Sequence, residues 1–153
     1  APETVIRLIE MGMDSFNFAD AFLCVLAQRL ARKLCLECRR PYHPDREAYD
    51  DLVRTYGRKW FEKDGLPEYG ENLELMGHAE CPACGGIGYQ GRIALHEMLL
   101  GIPEVKNAIK RKATMEELQG IGLEYGMRTL KMDGIRKILE GHTDLLQVLK
   151  VCL

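Results

Sequence analysis

The sequence predicts a mainly α fold: a small helical bundle carrying a zinc-clipped tetracysteine insertion and one short β-hairpin. Three observations predict it. Apolar residues recur at three- and four-residue spacing through most of the chain, between recognisable helix caps. Two Cys-x-x-Cys pairs, Cys35-Leu-Glu-Cys38 and Cys81-Pro-Ala-Cys84, are separated by 42 residues. From Tyr89 to Leu100 the pattern changes to that of a strand, with Gln90-Gly91 placed to turn it back on itself.

Taken in order, residues 3–11 carry Val5, Ile6, Leu8 and Ile9 and end near Gly12, which reads as a first helix. Asp14 or Ser15 is a good N-cap for a second. Its apolar positions Phe18, Phe22, Val25, Leu26, Leu30 and Leu34 follow the spacing of a core-facing stripe. Arg29, Arg32 and Lys33 crowd its last turns, where cations suit the helix dipole. Residues 46–63 also read as helix. Pro103 suits a first helical position and opens a helix through Lys112. Thr114-Met115-Glu116-Glu117 fits a capping box for the next, which frays around Gly126. Thr129 to Glu140 is amphipathic through Leu130, Ile135, Ile138 and Leu139 and stops at Gly141. Thr143 then caps a last turn or two. The expected organisation is a first part of the helical core at 1–34, the tetracysteine insertion at 35–84, a hairpin at 85–100, and the rest of the helical core at 101–153.

The cysteines carry the clearest chemistry. Two residues between thiolates let both sulfurs of a pair face one ion, and two such pairs complete the tetrahedral shell that Zn²⁺ prefers. The glycines that follow, in Cys84-Gly85-Gly86-Ile87-Gly88-Tyr89-Gln90-Gly91-Arg92, allow a left-handed turn that brings backbone N–H groups to the sulfurs. Cys35, Cys38, Cys81 and Cys84 are therefore the expected metal ligands, in a structural site, because four thiolates leave no open position for water. His43 and His78 lie near the pairs as possible substitutes for a sulfur. Cys24 and Cys152 sit in apolar runs and read as small buried hydrophobes. A disulfide framework belongs to secreted chains, and no secretory signal is seen. A redox pair would want a βαβ context, which neither pair has.

Composition bounds the partners. The chain has 153 residues, a formal charge of −2 and a sequence pI near 6.1, which argues against an electrostatically driven nucleic-acid binder. Residues 45–80 hold five basic and ten acidic side chains, a local net of −5, together with Tyr49, Tyr56, Trp60 and Phe61. This stretch is expected to fold back as an acidic appendage, held at its base by the metal and available to a partner. No apolar run approaches the roughly 20 residues of a membrane span, and Val151-Cys152-Leu153 is not a prenylation box. Thiolates without a signal sequence suggest a reducing, cytoplasmic compartment. The chain opens on Ala1-Pro2 without an initiator Met, as a piece of something longer would.

Several motif matches are discounted by context. Gly86-Ile-Gly88-Tyr-Gln-Gly91 satisfies Gly-x-Gly-x-x-Gly, but a metal knuckle precedes it where a dinucleotide site needs a strand. His96-Glu97 lacks the second histidine of a zinc-protease helix. The phosphate-cradling Gly-x-x-x-x-Gly-Lys-Ser/Thr is absent from these 153 residues.

One resemblance runs through nearly the whole chain outside 45–76. Ile6-Arg7-Leu8-Ile9-Glu10-Met11-Gly12 and Leu26-Ala27-Gln28-Arg29-Leu30 lead to the first cysteine pair. Cys81-x-x-Cys84-x-Gly86-x-Gly88-Tyr89-x-Gly91-Arg92 leads to His96-Glu97-Met98-Leu99. Gly126-Met127-Arg128-Thr129-Leu130 runs on to Asp133-Gly134 and Leu139-Glu140-Gly141. Together these resemble the secretion ATPases of the GspE/PilB type, the motors of type II secretion and type IV pilus assembly. The resemblance implies the C-terminal subdomain of a RecA-like ATPase, cytoplasmic and hexameric at the inner membrane. It implies that ATP and Mg²⁺ bind upstream, and that the partners are neighbouring subunits and cytoplasmic domains of inner-membrane platform proteins. It also implies that Gln28, Arg29 or Arg128 face the nucleotide cleft or a neighbouring subunit, where guanidinium forks bind phosphate or carboxylate. The competing reading of each is a solvated face or local ion pair, and Arg92 braces the hairpin. A free-standing zinc-ribbon module binding RNA or protein is the second reading of the chain. A Cys-x-x-Cys redox enzyme is the third.

Overall fold

A computed structural model describes residues 1–152. In chain order it contains α1 (Pro2–Glu10), α2 (Ser15–Ala21), β1 (Cys24–Leu34), β2 (Arg40–Tyr42), α3 (Arg46–Tyr56) and α4 (Arg58–Lys63). These are followed by β3 (Leu75–Gly77), a 3₁₀ turn at Pro82–Cys84, β4 (Tyr89–Leu100), α5 (Pro103–Lys110), α6 (Met115–Glu124), α7 (Leu130–Leu139) and α8 (Leu145–Val151). Eight helices and two two-stranded sheets among the described residues make the fold mainly α, as the caps and periodicity predict. The capping box is present: Thr114 Oγ1 accepts from the Glu117 N–H at 3.2 Å, and Glu117 Oε2 accepts from the Thr114 N–H at 2.9 Å. Asp14 caps α2 by accepting from the Asn17 N–H at 2.9 Å.

Residues 22–34 depart from the expected helix. The chain turns extended at Phe22, with φ −69° and ψ 120°, and residues 24–34 form one strand. The segment expected to be a hairpin is likewise a single 12-residue strand, β4, and its partner is β1. The Gly101 N–H donates to the Leu23 carbonyl at 2.7 Å, and the Cys35 N–H donates to the Gly88 carbonyl at 3.0 Å, so the two strands run antiparallel. Leu, Ala, Gln and Arg favour helix intrinsically, by only tenths of a kcal/mol per residue. A ladder to a distant strand outweighs that preference, and a distant partner is invisible in a local pattern. Other boundaries shift less. Gly57, at φ 92°, divides the expected 46–63 helix into α3 and α4. Asp144 caps α8, accepting from the Gln147 N–H at 3.0 Å. The expected cap, Thr143, is buried instead and donates to the Arg32 carbonyl at 2.8 Å.

The chain forms two compact units, one of residues 1–28 and 96–129, the other of 29–95 and 130–153. In the first, α1, α2, α5 and α6 pack around Val5, Phe22, Leu99, Val105, Ile109 and Leu118. Gly101 is required there, because a Cβ at that position would lie 2.3 Å from the Phe22 carbonyl oxygen.

In the second unit α7 packs on α8 and α3. The acidic insertion has a core of its own in Tyr49, Leu52, Val53, Tyr56 and Phe61. Of the four aromatic residues noted in its sequence, Tyr49, Tyr56 and Phe61 are interior and Trp60 is half-exposed, under the ammonium groups of Lys59 and Lys63 at 4.5 and 4.8 Å. The insertion is anchored to α7 by Arg136, whose Nε donates to the Tyr56 hydroxyl at 3.1 Å and whose Nη2 donates to Asp64 at 3.3 Å. Tyr56 also donates to Asp64.

At the α7–α8 crossing, a Cβ on Gly134 would lie 2.4 Å from the Val148 side chain. Alanine in an exposed mid-helix glycine site gains about 1 kcal/mol from propensity. Here Gly134→Ala is expected to lose about 1–3 kcal/mol through overpacking, with partial recovery in Gly134→Ala/Val148→Ala, as read by urea denaturation.

Candidate metal centre

The tetracysteine cluster is built from two local devices brought together. Cys35 follows directly on β1, and the turn after it closes by the Arg39 N–H donating to the Cys35 carbonyl at 2.9 Å. This places Cys38 one turn on, facing back. Cys81 and Cys84 flank the 3₁₀ turn at Pro82–Cys84. Gly85, Gly86 and Gly88 then follow with φ of 63°, 80° and 77°, the left-handed region that glycine enters without a Cβ penalty. That path aims the Gly88 N–H at the Cys84 sulfur, 3.2 Å away. A side chain at Gly88 would meet the Ala79 carbonyl oxygen and the His78 Cβ at 2.8 Å.

Between the two pairs, β2 and β3 run antiparallel with Arg40 opposite Gly77 and Tyr42 opposite Leu75. This short ribbon holds the ends of the insertion together and carries the pairs into register. Arg39 Nη1 reaches the Gly141 carbonyl at 2.6 Å, fixing the first knuckle to the C-terminal end of α7.

The four Sγ atoms lie within 4.8 Å of one another. Individual separations are 3.8 Å for Cys35–Cys81, 3.9 Å for Cys38–Cys84 and 3.7 Å for Cys81–Cys84. A tetrahedral ion with metal–sulfur bonds of about 2.3 Å has sulfur–sulfur edges of about 3.8 Å. The spacing therefore fits one tetrahedrally coordinated ion. It is almost twice the roughly 2.05 Å of a disulfide, and all six cysteines are free thiols. Cys35, Cys38 and Cys84 are buried and Cys81 half-buried, so the sulfurs sit where an uncompensated thiolate is costly.

The thiols are already differentiated. Burial, reinforced by hydrogen bonds from the other three cysteines, pushes Cys38 up to about 12, although its sulfur also meets the Ala79 carbonyl at 3.0 Å. Burial pushes Cys84 up as well, but hydrogen bonding with the backbone of Cys81 and Gly88 and with the Cys81 and Cys38 sulfurs outweighs it and brings Cys84 down to about 6. Gly88 was visible in the sequence as a turn glycine; the Ala79 carbonyl left no sequence signal.

Neither histidine joins the cluster. His43 Nε2 lies 2.9 Å from the Gly70 carbonyl, and His78 stacks on Tyr89, with Nδ1 3.3 Å from its hydroxyl and 3.8 Å from Asp144. Tyr89 in turn donates to Asp144, and burial together with that carboxylate pushes the phenol up to about 12. Cys24, expected to be buried, is exposed on β1, and Cys152 is half-buried.

The other candidate residues occupy different settings. Gln28 and Arg29 are exposed successive residues of β1 rather than the edge of a helix, so they point to opposite faces of that strand. Arg128 is half-buried just after α6, where Nη1 donates to the Leu123 and Met127 carbonyls at 3.1 and 2.6 Å. Arg92 is exposed on β4. No described helix is long and apolar enough to cross a membrane.

The metal-free, reduced protein is expected to titrate one thiolate with a midpoint near 6, read from its ultraviolet absorbance. That value lies below the ordinary 9.0, so the stability it contributes is complete above pH 9 and lost as pH falls through about 6. Cys84→Ser abolishes this titration.

Comparison with known proteins places these features in a family. Residues 1–150 match the family model described as "Type II/IV secretion system protein". The chain is 38% identical over 149 residues to the type IV pilus assembly ATPase PilB of Thermus thermophilus, covering 97% of this chain and 16% of that protein. It is 33% identical over 147 residues to the type II secretion system ATPase E of Vibrio cholerae, covering 96% and 26% respectively. It is 32% identical over 151 residues to the type IV pilus assembly ATPase TfpB of Acinetobacter baylyi, covering 99% and 24%. The chain thus spans about a quarter or less of the length of these relatives. Matched from residue 1 to residue 150, across the helical units and the tetracysteine cluster alike, the chain belongs to the type II/IV secretion system protein family.

Proposed function

We propose that this chain is the zinc-binding C-terminal subdomain of a hexameric ATPase that powers type II protein secretion or type IV pilus assembly from the cytoplasmic face of the bacterial inner membrane. The observation that carries the reading is the near-tetrahedral spacing of four cysteine sulfurs inside a chain that matches secretion and pilus ATPases along its length. Cys35, Cys38, Cys81 and Cys84 hold one Zn²⁺, which supplies charge compensation for the thiolates and a cross-link over the insertion. Four-sulfur shells suit zinc or iron, and a closed shell with no position for water serves structure rather than catalysis.

The full-length protein binds and hydrolyses ATP with Mg²⁺. The fragment does not hydrolyse ATP alone, because the phosphate-cradling loop is absent from its sequence. Its task is to carry nucleotide-dependent motion from the ATPase core and neighbouring subunits to the assembly platform. Gln28, Arg29 and Arg128 meet the nucleotide cleft or the next subunit, and the acidic insertion docks cytoplasmic domains of inner-membrane partners. A free-standing zinc ribbon does not account for a family match that runs to residue 150.

Protein purified without added metal is expected to contain one zinc per chain by elemental analysis and to be colourless. Chelation or Cys81→Ser lowers Tm by about 10 °C or more. Iron, or no metal with an unchanged Tm, would overturn the zinc assignment. In the full-length ATPase, Arg29→Ala is expected to cut turnover by about tenfold with little change in Tm; an unchanged rate removes Arg29 from the nucleotide or subunit contact.

A further inference from the structure

The acidic insertion carries an open cleft of about 590 Å³ between α3, α4 and the loop that follows. That size lies within the roughly 300–1,000 Å³ typical of ligand pockets. Tyr49, Val53 and Phe61, only 6%, 3% and 3% exposed, form its packed base, while Leu66, Tyr69 and the charged side chains of the rim present its accessible surface. Tyr49 stands edge-on to Phe61, with centroids 6.0 Å apart, and lies 5.3 Å from Tyr69, which forms a half-exposed wall. The rings make a three-sided aromatic cup.

Two observations define what the cup accepts. The first is that its rings already hold a cation. The Arg46 guanidinium lies 5.2 Å from the Tyr69 centroid and 5.9 Å from that of Tyr49, the arrangement of a cation–π contact. The second is the charge around it. Both arginines of the lining are matched by carboxylates, Arg46 by Asp50 at 3.1 Å and Arg58 by Glu62 at 4.0 Å, and Glu68 adds a further negative group to the rim. Over residues 45–80 acidic side chains outnumber basic ones ten to five. An approaching chain therefore meets an acidic rim and then the half-exposed Tyr69 and Leu66.

We propose that this cup is a docking site for a peptide segment of a partner protein that presents a Lys or Arg beside an apolar side chain. The apolar group seats against the half-exposed Leu66 and Tyr69, and the cation lies beside the exposed Glu68. An acidic segment would be repelled before reaching the floor. The inference rests on the reading of the insertion as a docking appendage and specifies where on it, and for what chemistry, docking occurs.

The test titrates the zinc-loaded full chain, ¹⁵N-labelled, with two capped peptides, acetyl-Gly-Lys-Leu-Phe-Lys-Gly-amide and its counterpart with Glu in place of both Lys. The lysine peptide is expected to shift the amides of Val53, Phe61 and Leu66 saturably, and the glutamate peptide to bind at least about tenfold more weakly. Glu68→Lys, a change at an exposed rim position, is expected to weaken the lysine peptide about tenfold without altering Tm, and Leu66→Trp to block it by filling the cup. Equal or tighter binding of the glutamate peptide, no saturable shift up to millimolar lysine peptide, or indifference to both variants would each overturn the proposal. Deleting 45–76 from the full-length ATPase separates this from the broader reading. If partner binding survives the deletion, docking through the insertion fails altogether; if it is lost while the titration is flat, only the cup fails.

Discussion

Four cysteine sulfurs brought within 4.8 Å of one another are the constraint on which the second unit depends. Three of the four residues are buried, and buried thiols so close cannot all ionise without a compensating cation. The cluster lies at the base of a 42-residue insertion, where an ion joining the four sulfurs would remove substantial freedom from the unfolded chain. Everything near it serves the closure. The left-handed glycines turn an N–H onto the Cys84 sulfur, the β2–β3 ribbon sets the register of the two knuckles, and Arg39 ties the first of them to Gly141 at the end of α7.

The insertion is therefore a folded part with its own interior. Tyr49, Tyr56 and Phe61 pack inside it, and Arg136 fixes its Tyr56–Asp64 pair to α7. With its flank held by the Arg136 guanidinium, the insertion is anchored on α7. A docking surface of the kind proposed gains from such restraint, because a mobile loop would pay an ordering cost on binding. The acidic excess lies on this same element.

Much of the site was legible in the sequence because its determinants are local. A two-residue spacing between cysteines, glycines immediately after the second pair, and caps at Asp14 and Thr114 act over a turn or less, and each does in the structure what its chemistry predicts. The family resemblance was legible for a related reason: its motifs are short and ordered along the chain, and the match covers residues 1–150.

What the tertiary structure decided lies in the longer-range pairings. Residues 24–34 have helical composition and helical spacing, yet they lie extended, because β4 supplies a ladder that a lone segment cannot have. Gln28 and Arg29 move with them from a helix edge to opposite faces of a strand. Thr143 left its cap for the Arg32 carbonyl, and the insertion's aromatics turned inward once Arg136 and α7 were in reach. The sequence by itself determined the two cysteine pairs, the caps at Asp14 and Thr114 and the mainly α class, since these depend on neighbours in the chain. Strand pairing, the anchoring of the insertion and the aromatic cup depend on residues tens of positions apart, and only the folded chain brings those together.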